Sequence, residues 1–235
     1  MRDEVIPPAR WEFNEEVTQA FQDMLARSIP DYETMRDACF QVGSKLVQHK
    51  TDIVDLGCSR GDAIASYVDK FGAYNYYIAA DVSDPMLDAC RKRFDGYITM
   101  NRMKVVKADL RHGCPPARAS LILSILTLQF TPIEYRQRIL KSVHDNLVPL
   151  GGFIMVEKVM GCGVEVDDLL TTCYLEHKRA VGYTEDQIQR KRLSLEGVLV
   201  PTTAPHNEQM LRDAGFRHVE CFWRCLNFVG WVALK

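Results

Sequence analysis

Two hydrophobic periods alternate along the chain. Residues 14–29 set Val17, Phe21, Met24, Leu25 and Ile29 on one helical face, and Pro30 stops that helix. A second helix is expected over 32–46, with Met35, Cys39, Val42 and Leu46 turned inward. The texture then changes to short apolar runs broken by turns. Asp52–Leu56 reads as a strand, 57–61 as a tight turn and 62–70 as a helix. Tyr76–Asp81 reads as a second strand, followed by a helix with Pro85 near its first turn. Met103–Lys107 and 120–126 are the third and fourth strands, the fourth apolar along its length, as befits a strand covered on both faces. A helix opening at Thr131 and Pro132 carries Ile139, Leu140, Val143 and Leu147, and 153–157 is a fifth strand after a break at 148–152. A charge-dense helical insert follows at about 165–198, then a helix ending at Gly215. Two β-rich runs, 217–225 and 228–234, are close enough in sequence to form a hairpin.

Strands alternating with helices predict an α/β fold, with a mainly parallel sheet covered on both faces. One domain over 1–235 is expected, with N-terminal helices at about 14–48 and the insert at about 165–198. A seven-stranded Rossmann-like sheet closed by a C-terminal antiparallel hairpin resembles the class I methyltransferases that use S-adenosylmethionine. Ligands of such sheets bind beyond the carboxyl ends of the strands, where strand order reverses.

Composition and charge narrow the partners. The 235 residues are 47% hydrophobic and 26% charged, which is globular rather than disordered. Lys plus Arg is 29 against 31 for Asp plus Glu, so direct nucleic-acid binding is disfavoured. The cysteines at 39, 58, 90, 114, 162, 173, 221 and 225 include no C-x-x-C pair, so no metal site is expected and they read as small hydrophobes in a reducing compartment. The start, MRDEVIPPARWEF, carries no leader-like apolar stretch, and no run is apolar enough to span a bilayer. A cytoplasmic protein off the membrane is expected.

The segment D-L-G-C-S-R-G at 55–61 lies between a strand and a helix. Gly57 and Gly61 let the backbone turn sharply and approach a ligand with no Cβ in the way. The G-x-G-x-x-G of dinucleotide folds is absent. The spacing instead resembles the methyltransferase motif that wraps the methionine part of the cofactor, with Ser59 in the middle glycine's place. Asp81 ends the second strand, where a carboxylate can accept from ribose hydroxyls. Asp109 ends the third, where it can meet an adenine amino group while Leu110 packs by the ring. Helix capping with Ser83 is the other reading of Asp81, and turn chemistry the other reading of Asp109.

The resemblance is closer than fold level. The segments WEFNEEVTQAFQDMLARSIPDY at 11–32, DLGCS at 55–59, TLQF at 127–130, EK at 157–158, KRAVGYTEDQIQRKRLSLEGV at 178–198 and the ending CLNFVGWVALK resemble the carboxy-S-adenosylmethionine synthases over nearly the whole chain. That resemblance implies conversion of S-adenosylmethionine and prephenate to carboxy-S-adenosylmethionine and phenylpyruvate, in a homodimer. A downstream tRNA carboxymethyltransferase would use the product on a hydroxylated wobble uridine. The resemblance further implies that Tyr32, Gly57, Cys58, Ser59, Asp81, Val82, Asp109 and Leu110 contact the ligand and that Arg192 binds the added carboxylate. A planar guanidinium suits that anion, which plain S-adenosylmethionine lacks, although a solvated charge on a basic helix is the alternative reading of Arg192. No nucleophile, metal or general base is implied, if a sulfonium ylide captures carbon dioxide released from prephenate.

This chain departs from the family where Ile125 replaces a ligand-contacting asparagine, and where Arg60 and Asp62 charge a loop the family keeps uncharged. Two other functions stay open: a methyltransferase of a small acceptor, and a non-catalytic binder of an adenosyl ligand.

Overall fold

The computed structural model describes Asp3, Val5 and residues 10–235. The leader reading rests in part on residues 1, 2, 4 and 6–9, which lie outside the described residues. The central sheet runs β3-β2-β1-β4-β5-β8-β7, from β1 (Asp52–Leu56), β2 (Tyr76–Asp81), β3 (Met103–Lys107), β4 (Ala119–Ile125), β5 (Leu147–Met160), β7 (His218–Cys225) and β8 (Phe228–Leu234). Neighbours pair in parallel except at β8, which is antiparallel to both β5 and β7. An eighth strand, β6 (Thr202–Thr203), pairs with the end of β5; two residues are too few to register as a hydrophobic period.

Helices cover both faces. α1 (Glu15–Ser28) and α2 (Tyr32–Gly43) precede the sheet. α3 (Asp62–Phe71), α4 (Asp84–Arg93), α5 (Asp95–Thr99) and α6 (Ile133–Asn146) follow in the crossovers, and α9 (Ala204–Asp213) precedes the hairpin. The insert is a helix pair, α7 (Val164–Ala180) and α8 (Glu185–Leu195). Gly182 turns between them at φ 90°, and a Thr184–Gln187 capping box opens α8. Asn14 caps α1, its Oδ1 accepting the Val17 N–H at 3.0 Å, and Ser83 caps α4.

Three expectations shift. α2 stops at Gly43 rather than at 46, and the one-turn α5 has no periodic signal. β5 starts at Leu147, six residues before the expected 153, because Leu147 already pairs with Ala119. The ladder resumes at Leu121–Gly152 after a bulge in which Leu150 takes φ 62° and stands 81% exposed. The anticipated break at 148–152 is real, but it lies inside a strand.

Two apolar layers hold the sheet. One packs α6 and α9 through Ile139, Leu140, Val143 and Leu211 onto Phe153, Met155 and Trp231. The other packs α2, α3 and α4 through Met35, Ile64, Val68 and Leu87 onto Ile53, Tyr77, Leu121 and Ile154. Fully burying each such side chain contributes about 1.5–3 kcal/mol, so these layers set the strand positions tightly. β1 lies between β2 and β4, and there the strand order reverses. The carboxyl ends of these strands open at that switch point, which is where a ligand crevice is expected.

Candidate active site

A cavity of about 940 Å³ opens at the switch point. Tyr32, Gly57, Cys58, Ser59, Asp81, Val82, Asp109, Leu110 and Arg192 all line it. Residues read from five separate stretches of sequence therefore meet at one place. Further lining comes from α1, from the turn after β4 and from the insert.

The 57–61 turn is built on backbone bonds. Gly57 and Cys58 donate N–H groups to the Ala80 carbonyl at 2.8 and 2.9 Å, which ties the turn to the end of β2. Gly57 sits at φ 73°, and a Cβ there would overlap Thr127 Oγ1. Ser59, the residue in the middle glycine's place, takes φ 48°, a left-handed conformation that costs an L-residue about 1–2 kcal/mol. Its N–H donates to Asp81 Oδ2 at 2.8 Å, and that charge-assisted bond offsets the strain. The charges that depart from the family are both engaged within the protein, Asp62 while also lining the cavity. Arg60 donates to the Thr18 carbonyl at 3.3 Å, and Asp62 pairs with Arg93 at 2.5 Å.

Asp81 also accepts the N–H groups of Val82 at 2.7 Å and Ser83 at 3.0 Å. Three backbone donors fix its orientation and leave about one of its four lone-pair sites for a ligand hydroxyl. Ser83 itself caps α4, so capping is a role of Ser83 and orientation of the loop a role of Asp81. Asp109 accepts the Arg111 N–H at 2.9 Å and is gripped by the Arg111 guanidinium at 2.6 and 2.9 Å, bonds that hold its carboxyl below the usual range. Turn chemistry is thus present at Asp109, with the carboxylate still on the cavity wall. Tyr32 begins α2, and burial pushes its hydroxyl up to about 12, so it stands as a neutral donor.

Asp55 is the first acid of the motif, 1% exposed, with Oδ2 lacking a partner among the described residues. Burial pushes its carboxyl up to about 7, with Arg36 opposing and Asp81 adding to the rise. Ile125 lines the cavity at the asparagine's position. Ser124 beside it is fully buried with an unpartnered Oγ, as strand alternation requires.

The cavity also carries cations, of which sequence reading anticipated only Arg192. Lys158 from β5 and Lys178 from α7 place their ammonium groups over the Tyr174 ring, at 4.6 and 5.0 Å from its centre. Lys191 on α8 pairs with the fully buried Asp3 carboxylate, which also accepts from the Tyr183 hydroxyl. Arg192, the next residue, is exposed at the cavity edge and makes no hydrogen bond or ion pair among the described residues. Acids and cations lining one cavity suit a ligand that carries both hydroxyl groups and a carboxylate. Among the described residues no group of three or more His, Cys, Asp or Glu is placed to hold a metal ion, and no helix is long and apolar enough to cross a membrane.

Residues 53–151 match the Methyltransf_25 model, a methyltransferase domain. The solved structure titled "PigF with SAH" superposes at TM-score 0.62 with 18% identity, over 94% of this chain and 60% of that one. Sheet order, hairpin and crevice therefore define the class I methyltransferase fold. The carboxy-S-adenosyl-L-methionine synthase of Methylococcus capsulatus is 38% identical over 224 residues, covering 95% of this chain and 93% of that one. That of Erwinia tasmaniensis is 35% identical over 226 residues, covering 96% and 92%. The chain belongs to the carboxy-S-adenosyl-L-methionine synthase family.

Proposed function

We propose that this chain converts S-adenosylmethionine and prephenate to carboxy-S-adenosylmethionine and phenylpyruvate. Prephenate would lose its ring carboxylate as carbon dioxide and its ring hydroxyl as hydroxide, becoming aromatic. Hydroxide would take a proton from the sulfonium methyl, and the resulting carbanion would bond to carbon dioxide, with water as the remaining product. The protein's part would be positioning and charge complementarity, which in a closed site contribute more than in water.

The observation that carries this reading is one cavity lined by Asp81, Asp109 and Arg192 together. In this reading Asp81 takes a ribose hydroxyl, Asp109 and Leu110 the adenine, and Tyr32, Val82 and the 57–59 loop the rest of the adenosyl ligand. Arg192 takes the added carboxylate. We also place the protein in the cytoplasm as a homodimer, supported by the exposed apolar Val164, Val166 and Leu169 on α7 and Leu193 on α8, beside Arg192. Its product would pass to a tRNA carboxymethyltransferase, with no contact between this chain and RNA.

Mass spectrometry of the ligand released from fresh protein tests the reading. A ligand heavier than S-adenosylmethionine by one carbon dioxide supports it, as does phenylpyruvate formed from prephenate only when S-adenosylmethionine is present. Plain S-adenosylmethionine together with methyl transfer to a small acceptor would replace the reading with a methyltransferase, which Ile125 in the asparagine's place would then explain. Arg192→Ala is expected to abolish the carboxylated product while sparing adenosyl binding.

A further inference from the structure

Lys178 is 8% exposed and lines the cavity, yet its ammonium group forms no hydrogen bond or ion pair among the described residues. Lys158 likewise lines the cavity without an ion pair, and both ammonium groups lie over the Tyr174 ring, at 5.0 and 4.6 Å. The nearby acids are committed elsewhere. Asp3 is taken by Lys191 and Tyr183, and Asp167 accepts the Gly161 N–H at 2.7 Å. Burial lowers the affinity of both lysines for their protons, and Lys158 and Lys191 depress Lys178 further, to about 8.

Two ammonium groups of like sign, Lys178 buried and Lys158 half-buried, are costly unless an anion completes them, because charges removed from water need a partner. The aromatic ring beneath them offsets only part of that cost. Asp81 and Asp109 suit a nucleoside and Arg192 is assigned to a carboxylate on the sulfonium, so neither lysine is assigned a group of the adenosyl ligand.

We propose that Lys158 and Lys178, whose ammonium groups both lie over the ring of Tyr174, form a subsite for the carboxylates of the second substrate, a dicarboxylic acid. This rests on the reading above for which substrate binds, but not for the chemistry of the subsite. The two lysines are positioning residues: they seat a dianion with its apolar body along Tyr174, beside the adenosyl ligand. Their charge also favours an acidic molecule over a neutral one of the same shape.

The test is calorimetric titration of the full chain saturated with S-adenosylhomocysteine, using prephenate, malonate and phenylpyruvate as probes. Lys158→Met and Lys178→Met are each expected to weaken prephenate binding by about tenfold or more, while S-adenosylhomocysteine affinity stays within about twofold. Lys178→Arg, which keeps the charge, should recover most of the affinity. The thermal midpoint of ligand-free Lys178→Met should not fall, since an unmatched charge has been removed. Binding of prephenate that is indifferent to both lysines overturns the proposal, as does failure of all three probes to bind the unaltered protein. If the dicarboxylates bind through the lysines but prephenate yields no carboxylated product, the subsite stands and the reading of the reaction falls.

Discussion

Asp55→Asn isolates the energetic consequence of the motif's first acid. The Asp55 side chain is buried at the end of β1, and its carboxyl is raised from 3.8 to about 7, first by burial and against the pull of Arg36. That rise of about three pKa units corresponds to roughly 4 kcal/mol at about 1.4 kcal/mol per unit. The folded protein holds this proton more tightly than the unfolded chain does. The stability Asp55 contributes is therefore complete below the unfolded value of 3.8 and is lost as pH rises through about 7. Asparagine keeps the shape and cannot ionise, so the variant should gain on the unaltered protein as pH rises. Between about pH 5 and pH 7 the gain should be roughly 2–3 kcal/mol, and it should level off above about pH 8. Glu157 is buried and raised to about 7 as well, but it is common to both proteins and cancels in the difference. Urea unfolding of both proteins without ligand, at closely spaced pH values, reads the difference directly. A difference that stays flat with pH, or that shrinks as pH rises, would refute an uncompensated buried carboxyl at this position.

Three further outcomes are expected. Gly57→Ala forces an L-residue to φ 73° and places a Cβ on Thr127 Oγ1, so denaturation should show a loss of about 2 kcal/mol or more, with S-adenosylhomocysteine binding lost in calorimetry. Asp81→Ala removes the acceptor of three backbone N–H groups along with a ligand partner; S-adenosylhomocysteine affinity should fall about 10–100-fold, and an unchanged Kd would show that the carboxylate only organises the turn. Ile125→Asn returns a hydrogen-bonding group to the cavity wall and should tighten adenosyl binding by up to about tenfold; no change would mean that position 125 does not reach the ligand.

The acids at the strand ends that line the cavity were legible because each of them is local. A strand's carboxyl end and the residue just past it are one stretch of chain, so Asp55, Asp81 and Asp109 could be placed from three short runs. The same locality makes Ser59 interpretable, since its left-handed backbone follows from the turn that Gly57 and Gly61 define. The early start of β5 was illegible because Leu147 reads as the last apolar position of α6, and only pairing with Ala119 makes it a strand residue. The two-residue β6 and the five-residue α5 are shorter than any period that could reveal them.

The lysines of the cavity were hidden for a different reason. In a charged amphipathic helix the periodicity argument sends every lysine to solvent. α7 buries only Tyr174 and Lys178, and α8 buries Ile188, Lys191 and Ser194, so polar and charged side chains occupy the inner faces of both helices. That arrangement is unfavourable against an apolar core, but it suits a helix whose inner face lines a polar cavity. A charge-dense insert with weak apolar patterning, following a sheet whose strand ends carry acids, is therefore a signal in its own right. It indicates that the insert lines the cavity with charged side chains while only Tyr174 and Ile188 of its two helices join the core. The chain's overall balance of 29 basic and 31 acidic residues conceals these lysines, because acids and lysines that line one cavity cancel in any count made along the sequence.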